Sequence, residues 1–314
     1  MKRARILVVG SANIDLVAHV PRCPKEGESL IGSAFRTVCG GKGANQAVAA
    51  ARLGARTWFA GCVGDDAFGA MERESLTEAG VDVAYLTTHP SEPTGTALIC
   101  VAETGQNSIV VIPSANAGFS PGDVDALTPL FDQLDAVVLQ LEIPLETVEA
   151  ALDLARKRGV LSVLDAGPAQ RVPEVIVRKA DVVSPNETEA EAMTGVQVRT
   201  VADAKEAAAR ILDLGAREAV MKLGERGSLY LGRECFHEPA FRVHPVDTTA
   251  AGDAFTAALA VGWKTMSRRE AIRFANAAGA LATTVAGAQP SMPTREAVNT
   301  FMRSFGTHTG PDGR

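Results

Sequence analysis

The stretch VDTTAAGDAFTAALAVG, residues 246–262, sets an acidic residue just behind a small-residue turn and at the front of an apolar helical pattern. Phe255, Ala258, Leu259 and Gly262 share one helical face, which places Asp253 in the first turn, beside backbone amides that a helix N-terminus leaves without partners. Amides so placed can bind a phosphate, and a carboxylate among them can take a hydroxyl proton. The same aspartate could also serve only to complement the helix dipole.

A second stretch, CGGKGANQAVAAARLG (39–54), puts glycines at 40, 41 and 43 in front of a helix marked by Ala44, Ala47, Val48 and Ala51, with Gly54 as its stop signal. The glycines let backbone approach a ligand closely, and Lys42 and Asn45 add donors that suit hydroxyl oxygens. Equally, such a loop can be a turn that closes a strand onto a helix. Neither GxxxxGK[ST] nor GxGxxG is present here, so this is not a Walker loop.

Positioning these groups requires strands and helices in alternation. Short apolar, β-branched runs recur at 6–9, 58–63, 136–141, 160–164, 181–184 and 218–223. Between two of them, Leu145, Val148, Ala151, Leu152 and Ala155 repeat at helical spacing before Gly159. The pattern predicts a parallel sheet covered on both faces. Two regions, 14–38 and 95–112, are strand-rich with no helix between strands, and predict hairpins that form a small second sheet or lid. The tail THTGPDGR, 307–314, is expected to be disordered, leaving 1–306 as a single domain.

Composition narrows the chemistry. The formal net charge is −6 and no Lys/Arg block reaches five residues, which argues against nucleic-acid and anionic-membrane partners. The apolar run before Gly10 is too short for a secretory leader, and no stretch is long enough to span a bilayer, so a cytoplasmic protein is expected. Five cysteines without a CxxC pair, and five histidines without HExxH, give no zinc or disulfide framework, and there is no GxSxG elbow for a serine hydrolase.

Taken in order, GSANIDLV, GGKGANQAVAA, QLE, SPNETEAE, VDTTAAGDAF and GAQPS closely resemble the motifs of the ribokinase-like (PfkB) carbohydrate kinases, over essentially the whole chain to about Phe305. The resemblance implies an α/β fold: a three-layer α/β/α sandwich with a mostly parallel central sheet and a small β-sheet lid. It implies that Asn13, Asp15, Gly41, Lys42, Asn45 and Glu142 hold sugar hydroxyls, with Asp253 as general base and the amides of Ala250, Ala251 and Gly252 as anion hole. On the nucleotide side it implies Asn186 and Glu189, with Glu189 ordering the water shell of Mg²⁺, then Lys222, Gly224, Gly227, Gly252 and Asn276. Members of the family often carry Thr where Lys222 stands and His where Asn276 stands. A K⁺ site is implied at the side chains of Asp247 and Ser291 and the carbonyls of Thr249, Ala282, Val285 and Gly287.

The activity implied is ATP-dependent phosphorylation of D-ribose at O5, by a homodimer joined through the lid. The alternatives are a sibling kinase of deoxyribose, fructose or a nucleoside, and a sugar-binding regulator that has lost catalysis. Retention of Asp253, the AAG turn and the Asn186/Glu189 pair favours the enzyme, since a sensor needs no phosphoryl-transfer apparatus.

Overall fold

A computed structural model describes residues 3–305, so the tail expected to be disordered lies outside the described residues. Its strands are β1 (Arg5–Val9), β2 (Asn13–Val20), β3 (Ala34–Gly40), β4 (Arg56–Gly64), β5 (Asp82–His89), β6 (Gly95–Ala102), β7 (Asn107–Ile112), β8 (Ala136–Leu139), β9 (Leu161–Asp165), β10 (Val182–Ser184), β11 (Glu218–Lys222), β12 (Ser228–Leu231) and β13 (Cys235–Glu238). The helices are α1 (Lys42–Arg52), α2 (Ala67–Glu78), α3 (Pro121–Asp125), α4 (Thr128–Phe131), α5 (Leu145–Arg158), α6 (Glu174–Val177), α7 (Glu187–Thr194), α8 (Val201–Asp213), α9 (Ala251–Gly262), α10 (Arg268–Ala282), α11 (Ala288–Ser291) and α12 (Arg295–Ser304).

Nine strands form one sheet in the order β13-β12-β11-β10-β9-β8-β1-β4-β5. From β11 to β5 every neighbouring pair is parallel, and at the other edge β12 runs antiparallel to both β11 and β13. Alternation along β1 shows how both faces are filled. Leu7 and Val9 pack into a core shared with α5 and α8, while Ile6 and Val8 pack into one shared with α1, α9 and α10. The result is the α/β/α sandwich that the motif pattern implies.

The chain leaves β1 toward β4 and β5 on one side, then returns through β8 to β9, β10 and β11 on the other. The reversal opens a crevice at the carboxyl ends of β1 and β8, where open α/β sheets bind ligands. A second sheet of four strands, ordered β3-β2-β6-β7, stands over that crevice as the lid. In it β2 pairs antiparallel with β3 and parallel with β6, and β7 closes a hairpin with β6 at the positive-φ Gly105.

The run 136–141 is shorter as a strand than its apolar pattern suggests. Pairing with β9 stops at Leu139, because the Leu141 N–H turns to the Gly167 carbonyl (2.8 Å) and the Gln140 side chain enters the crevice.

Candidate active site

Asp253 lies in the first turn of α9 and is 4 % exposed. Its Oδ2 accepts from Asn45 Nδ2 at 3.0 Å and its Oδ1 from Gln46 Nε2 at 3.0 Å. The turn before it is strained, with Ala250 at φ +58°, a left-handed conformation that costs a residue with a Cβ about 1–2 kcal/mol. Such strain collects at functional turns, and here the Ala251 N–H folds back on the Thr248 carbonyl (3.3 Å) as the helix opens beside Asp253.

The loop ahead of α1 packs tightly against the turn that follows β1. A Cβ on Gly41, which has φ +85°, would lie 2.7 Å from the Asn13 N, and one on Gly43 would lie 2.7 Å from the Ser11 backbone. A Cβ on Gly40 would strike the Asp15 carboxylate at 2.5 Å. The glycines therefore leave room for the turn between β1 and β2, which is drawn close to them, with Asn13 and Asp15 beside the α1 N-terminus. Glu142 closes this group, its Oε2 accepting from Ser11 Oγ (2.5 Å) and from the Lys42 N–H (3.1 Å). Asn13 Oδ1 accepts from Asn116 Nδ2 at 2.7 Å.

Behind the loop, the fully buried Glu72 of α2 accepts from the Gly40 N–H (2.9 Å) and from Gln289 Nε2 (3.2 Å), tying β3 to α11. Burial pushes its carboxyl up to about 8, against the hydrogen bonds from Gln289 and Gly40. Burial likewise pushes the Cys39 thiol up to about 12, so that residue packs as a small apolar side chain.

On the opposite wall Asn186 caps α7, accepting from the Glu189 N–H (2.8 Å), while Glu189 Oε2 accepts from the Asn186 N–H (2.7 Å). This reciprocal capping box fixes Glu189 beside Lys222, whose Nζ is 3.7 Å from Oε2. A Cβ on Gly167 would lie 2.6 Å from Glu189 Oε1 and 2.7 Å from Lys42 Nζ, so carboxylate and ammonium flank the same backbone segment.

Four buried groups that the sequence reading passed over join the two walls. Asp165, at the end of β9, accepts from Lys222 Nζ (2.8 Å), Gln46 Nε2 (2.9 Å) and Thr256 Oγ1 (3.0 Å). Gln46 thus spans Asp165 and Asp253 with one amide nitrogen, and its Oε1 accepts from Gln140 Nε2 at 2.6 Å. Like Glu142, Asp165 is an acidic residue at the carboxyl end of a parallel strand, a position where such sheets bind ligands. Gln140 stands within the QLE motif itself.

The charges perturb one another strongly. Burial raises Asp253 to about 6, opposed by Lys42 and by the amides of Asn45 and Gln46, and reinforced by Asp165. Burial, with Glu142 and Asp253 nearby, raises Asp15 to about 7. Asp165 is also penalised by burial, but Lys222 and Lys42 overcome that and hold it below the usual carboxylate range. Burial works against the charge of Lys42, yet Asp253, Asp165, Glu142 and Glu189 together keep it charged.

The remaining candidates lie further out. Gly224 (φ +54°) and Gly227 (φ +88°) shape the loop after β11, where the Leu223 N–H bonds to the Gly227 carbonyl at 2.8 Å. Asn276, on α10, spends its amide on the carbonyls of Glu238 (3.2 Å) and Pro239 (3.3 Å). Asp247 accepts from the Thr249 and Gly287 N–H groups, both at 2.9 Å, and Ser291 Oγ donates to the Ala288 carbonyl. Asp247 thus draws its own loop to the Gly287 turn, while Ser291 bonds within α11, and Ala282 and Val285 lie just before that turn.

A cluster of carboxylates and ammonium groups around a helix N-terminus, at the switch point of a parallel sheet under a small lid, defines a kinase-type site of the PfkB kind. Residues 3–295 match the pfkB family carbohydrate kinase profile, and the chain belongs to that family. It is 40% identical to a ribokinase of Haemophilus influenzae, over 96% of this chain and 99% of that one. It is 38% identical to a deoxyribokinase of Salmonella typhi, over 95% and 98%. The structure of Arabidopsis thaliana ribokinase complexed with ribose and ATP superposes with a TM-score of 0.88 at 36% identity, covering 96% of this chain and 99% of that chain.

Proposed function

We propose that this carbohydrate kinase transfers the γ-phosphoryl group of ATP to O5 of D-ribose, giving D-ribose 5-phosphate and ADP. The observation that carries the reading is Asp253: a buried carboxylate raised to about 6, held on both oxygens by amides, in the first turn of a helix whose N-terminus faces the crevice. A base with a pKa just below neutrality is largely ionised at pH 7 and still basic enough to accept a hydroxyl proton.

In the step proposed, a lone pair of O5 forms a bond to the γ-phosphorus, the bond to the β,γ-bridging oxygen breaks and ADP leaves, and the O5 proton passes to Asp253. The amides of Ala250, Ala251 and Gly252 receive charge on the transferring group. Asn13, Asp15, Gly41, Lys42, Asn45 and Glu142 hold the sugar. Asn45 Oδ1 supports this, being buried without a hydrogen-bond partner. Asn186, Lys222, Gly224, Gly227 and Asn276 line the nucleotide side.

A single carboxylate, Glu189, suits Mg²⁺, which keeps most of its waters and binds largely through substrate phosphates. When bound, that ion supplies charge neutralisation between the phosphates. For K⁺ the reading keeps Asp247, Thr249, Ala282, Val285, Gly287 and Ser291, supported by the hydrogen bond that draws the Asp247 and Gly287 loops together. A homodimer through the lid is supported by one lid face that carries Phe35, Leu98, Val110 and Ile112, all exposed.

A second reading, 2-deoxyribose as acceptor, follows from the deoxyribokinase relative, nearly as similar as the ribokinase. ADP release measured across ribose, 2-deoxyribose, fructose and nucleosides, with the phosphorylated position located by NMR, decides between them. Fastest turnover on ribose with a 5-phosphate product is expected, and absence of transfer to any pentose would reject the reading. The same assay in K⁺, Na⁺ and a large organic cation at matched ionic strength tests the cation, with highest turnover expected in K⁺.

A further inference from the structure

Lys222 ends β11 as a buried residue, its side chain 11% exposed. An ammonium carries three N–H donors, and the one hydrogen bond it makes among the described residues goes to Asp165 Oδ1 at 2.8 Å. Glu189 Oε2 lies at 3.7 Å, near enough to attract but beyond hydrogen-bond length. The rest of the group looks toward the start of α9, where a methyl group placed on Gly252 would sit 3.6 Å from Nζ. A buried ammonium with donors left over is costly in a folded chain unless a ligand completes it.

Asp165 explains why the ammonium stays there. It is fully buried at the end of β9 and spends Oδ2 on Gln46 and Thr256, which leaves Oδ1 for Lys222 and a long contact from the Gly167 N–H (3.3 Å). Gln46 and Thr256 come from α1 and α9, the two helices that bring Asn45 and Asp253 to the site. The ion pair is therefore locked to the frame that holds the general base. Burial opposes the charge on Lys222, but Asp165 and Glu189 more than restore it, so the donors remain available.

We propose that the Lys222 ammonium contacts the transferring phosphoryl group across the Gly252 turn, and that Asp165 is the positioning residue that aims it there. The inference rests on the kinase reading above and deepens it, turning a nucleotide-side residue into one that meets the reacting atoms. A fixed cation at that point adds to the anion-hole amides a charge that needs no reorganisation as negative charge gathers on the equatorial oxygens. The alternative is that Lys222 only neutralises Asp165, in which case the pair is structural and the phosphoryl group never meets it.

The two roles separate in a double-variant experiment on the full chain, with ATP and ribose as the substrates. Lys222→Met keeps the apolar stem and removes the charge, leaving Asp165 buried and unpaired, so both the melting temperature and the single-turnover rate should fall, the rate by about 10²- to 10³-fold. Lys222→Met/Asp165→Asn removes the stranded charge while keeping acceptors for Gln46 and Thr256. The double variant should recover the melting temperature and leave the rate low. Asp165→Asn alone should slow transfer without changing ribose affinity. Affinity for ADP with aluminium fluoride and ribose, a mimic of the group in flight, should fall with the rate in all three variants, while affinity for ADP alone should not. Parental turnover in Lys222→Met, or recovery of turnover together with stability in the double variant, would overturn the proposal and leave a structural ion pair. Transfer by the unaltered protein, measured first in the same assay, tests the sugar-kinase reading separately, because no variant enters that measurement.

Discussion

Replacing Asp253 by Asn should leave the protein as stable as before or more so, while nearly abolishing phosphoryl transfer. Asp253 has an amide donor on each oxygen, so an Asn there must turn its own NH₂ toward one of them. It cannot face Gln46, whose two ends are committed to Asp165, Asp253 and Gln140. It can face Asn45, whose Oδ1 is buried and unpartnered, because a flip of that amide turns the donor clash into a hydrogen bond. The substitution also removes a buried charge. Asp253 rises from 3.8 to about 6 on folding, roughly two units, so its ionisation weakens the fold by on the order of 3 kcal/mol at pH 7, at 1.36 kcal/mol per unit. The sign is that of a carboxyl raised by folding: the folded state holds the proton between pH 3.8 and about 6 while the unfolded chain has lost it, and stability drops as pH rises through that window. Asp253→Asn has no such drop. Catalysis runs the other way, because Asn cannot accept the O5 proton, and loss of a general base costs about 10²- to 10⁴-fold. The assays are thermal melts at pH 5 and pH 7.5 beside single-turnover phosphorylation of ribose on one preparation. A variant that phosphorylates at the parental rate would refute the assignment, and one that melts far lower would refute the amide-flip argument.

The pH profile of kcat/KM should carry an acidic limb with apparent values between about 6 and 7, activity rising with pH, since Asp253 and Asp15 are raised into that range and titrate as a coupled group. Absence of a limb above pH 5 would count against the buried cluster. Glu72→Gln should flatten the stability–pH curve: the wild-type carboxyl, raised from 4.5 to about 8, keeps its proton on folding, so its contribution is complete below pH 4.5 and is lost as pH climbs toward 8, by on the order of a few kcal/mol. Melting temperatures at pH 6 and 8.5 check this, the variant losing less than the parent. Gly41→Ala should cost at least the roughly 1–2 kcal/mol of a left-handed Cβ, plus a clash 2.7 Å from the Asn13 N, and weaken ribose binding measured by calorimetry.

The parallel strands β1, β4, β9, β10 and β11 were legible because a strand buried on both faces is a continuous apolar run, and no polar alternation hides it. The edges were not. In β5 the run DVAYLTTH has only Leu86 buried, so its sequence is that of a solvated loop, and β12 and β13 have four residues each. At the site, Asn13, Asp15, Glu142 and Asp253 were named because they stand in the motifs GSANIDLV, QLE and VDTTAAGDAF. Gln46 and Thr256 were not, since each lies inside a helix, reads there as an ordinary helical residue, and gains its meaning from Asp165, 119 and 91 residues away. The Asp165–Lys222 pair is hidden for the same reason: two residues ending separate apolar strands meet only when β10 places them side by side.

The root of the lid has a mechanical consequence. Asn13 pairs with Gly40 and with Gly95, and Asp15 with Val38, so the first rungs of the lid ladder are walls of the proposed sugar pocket. β2 runs eight residues from that root, about 25 Å of extended chain, with Asp15 about 7 Å along it. The strand is thus a lever pivoted at the pocket. A tilt of about 10° carries Asp15 roughly 1 Å and the tip near Val20 about 4 Å, on the strand rise alone. A sub-ångström adjustment at the proposed sugar pocket is magnified at the far end of the sheet, so a spectroscopic label near His19 or Val20 should register ribose added without ATP.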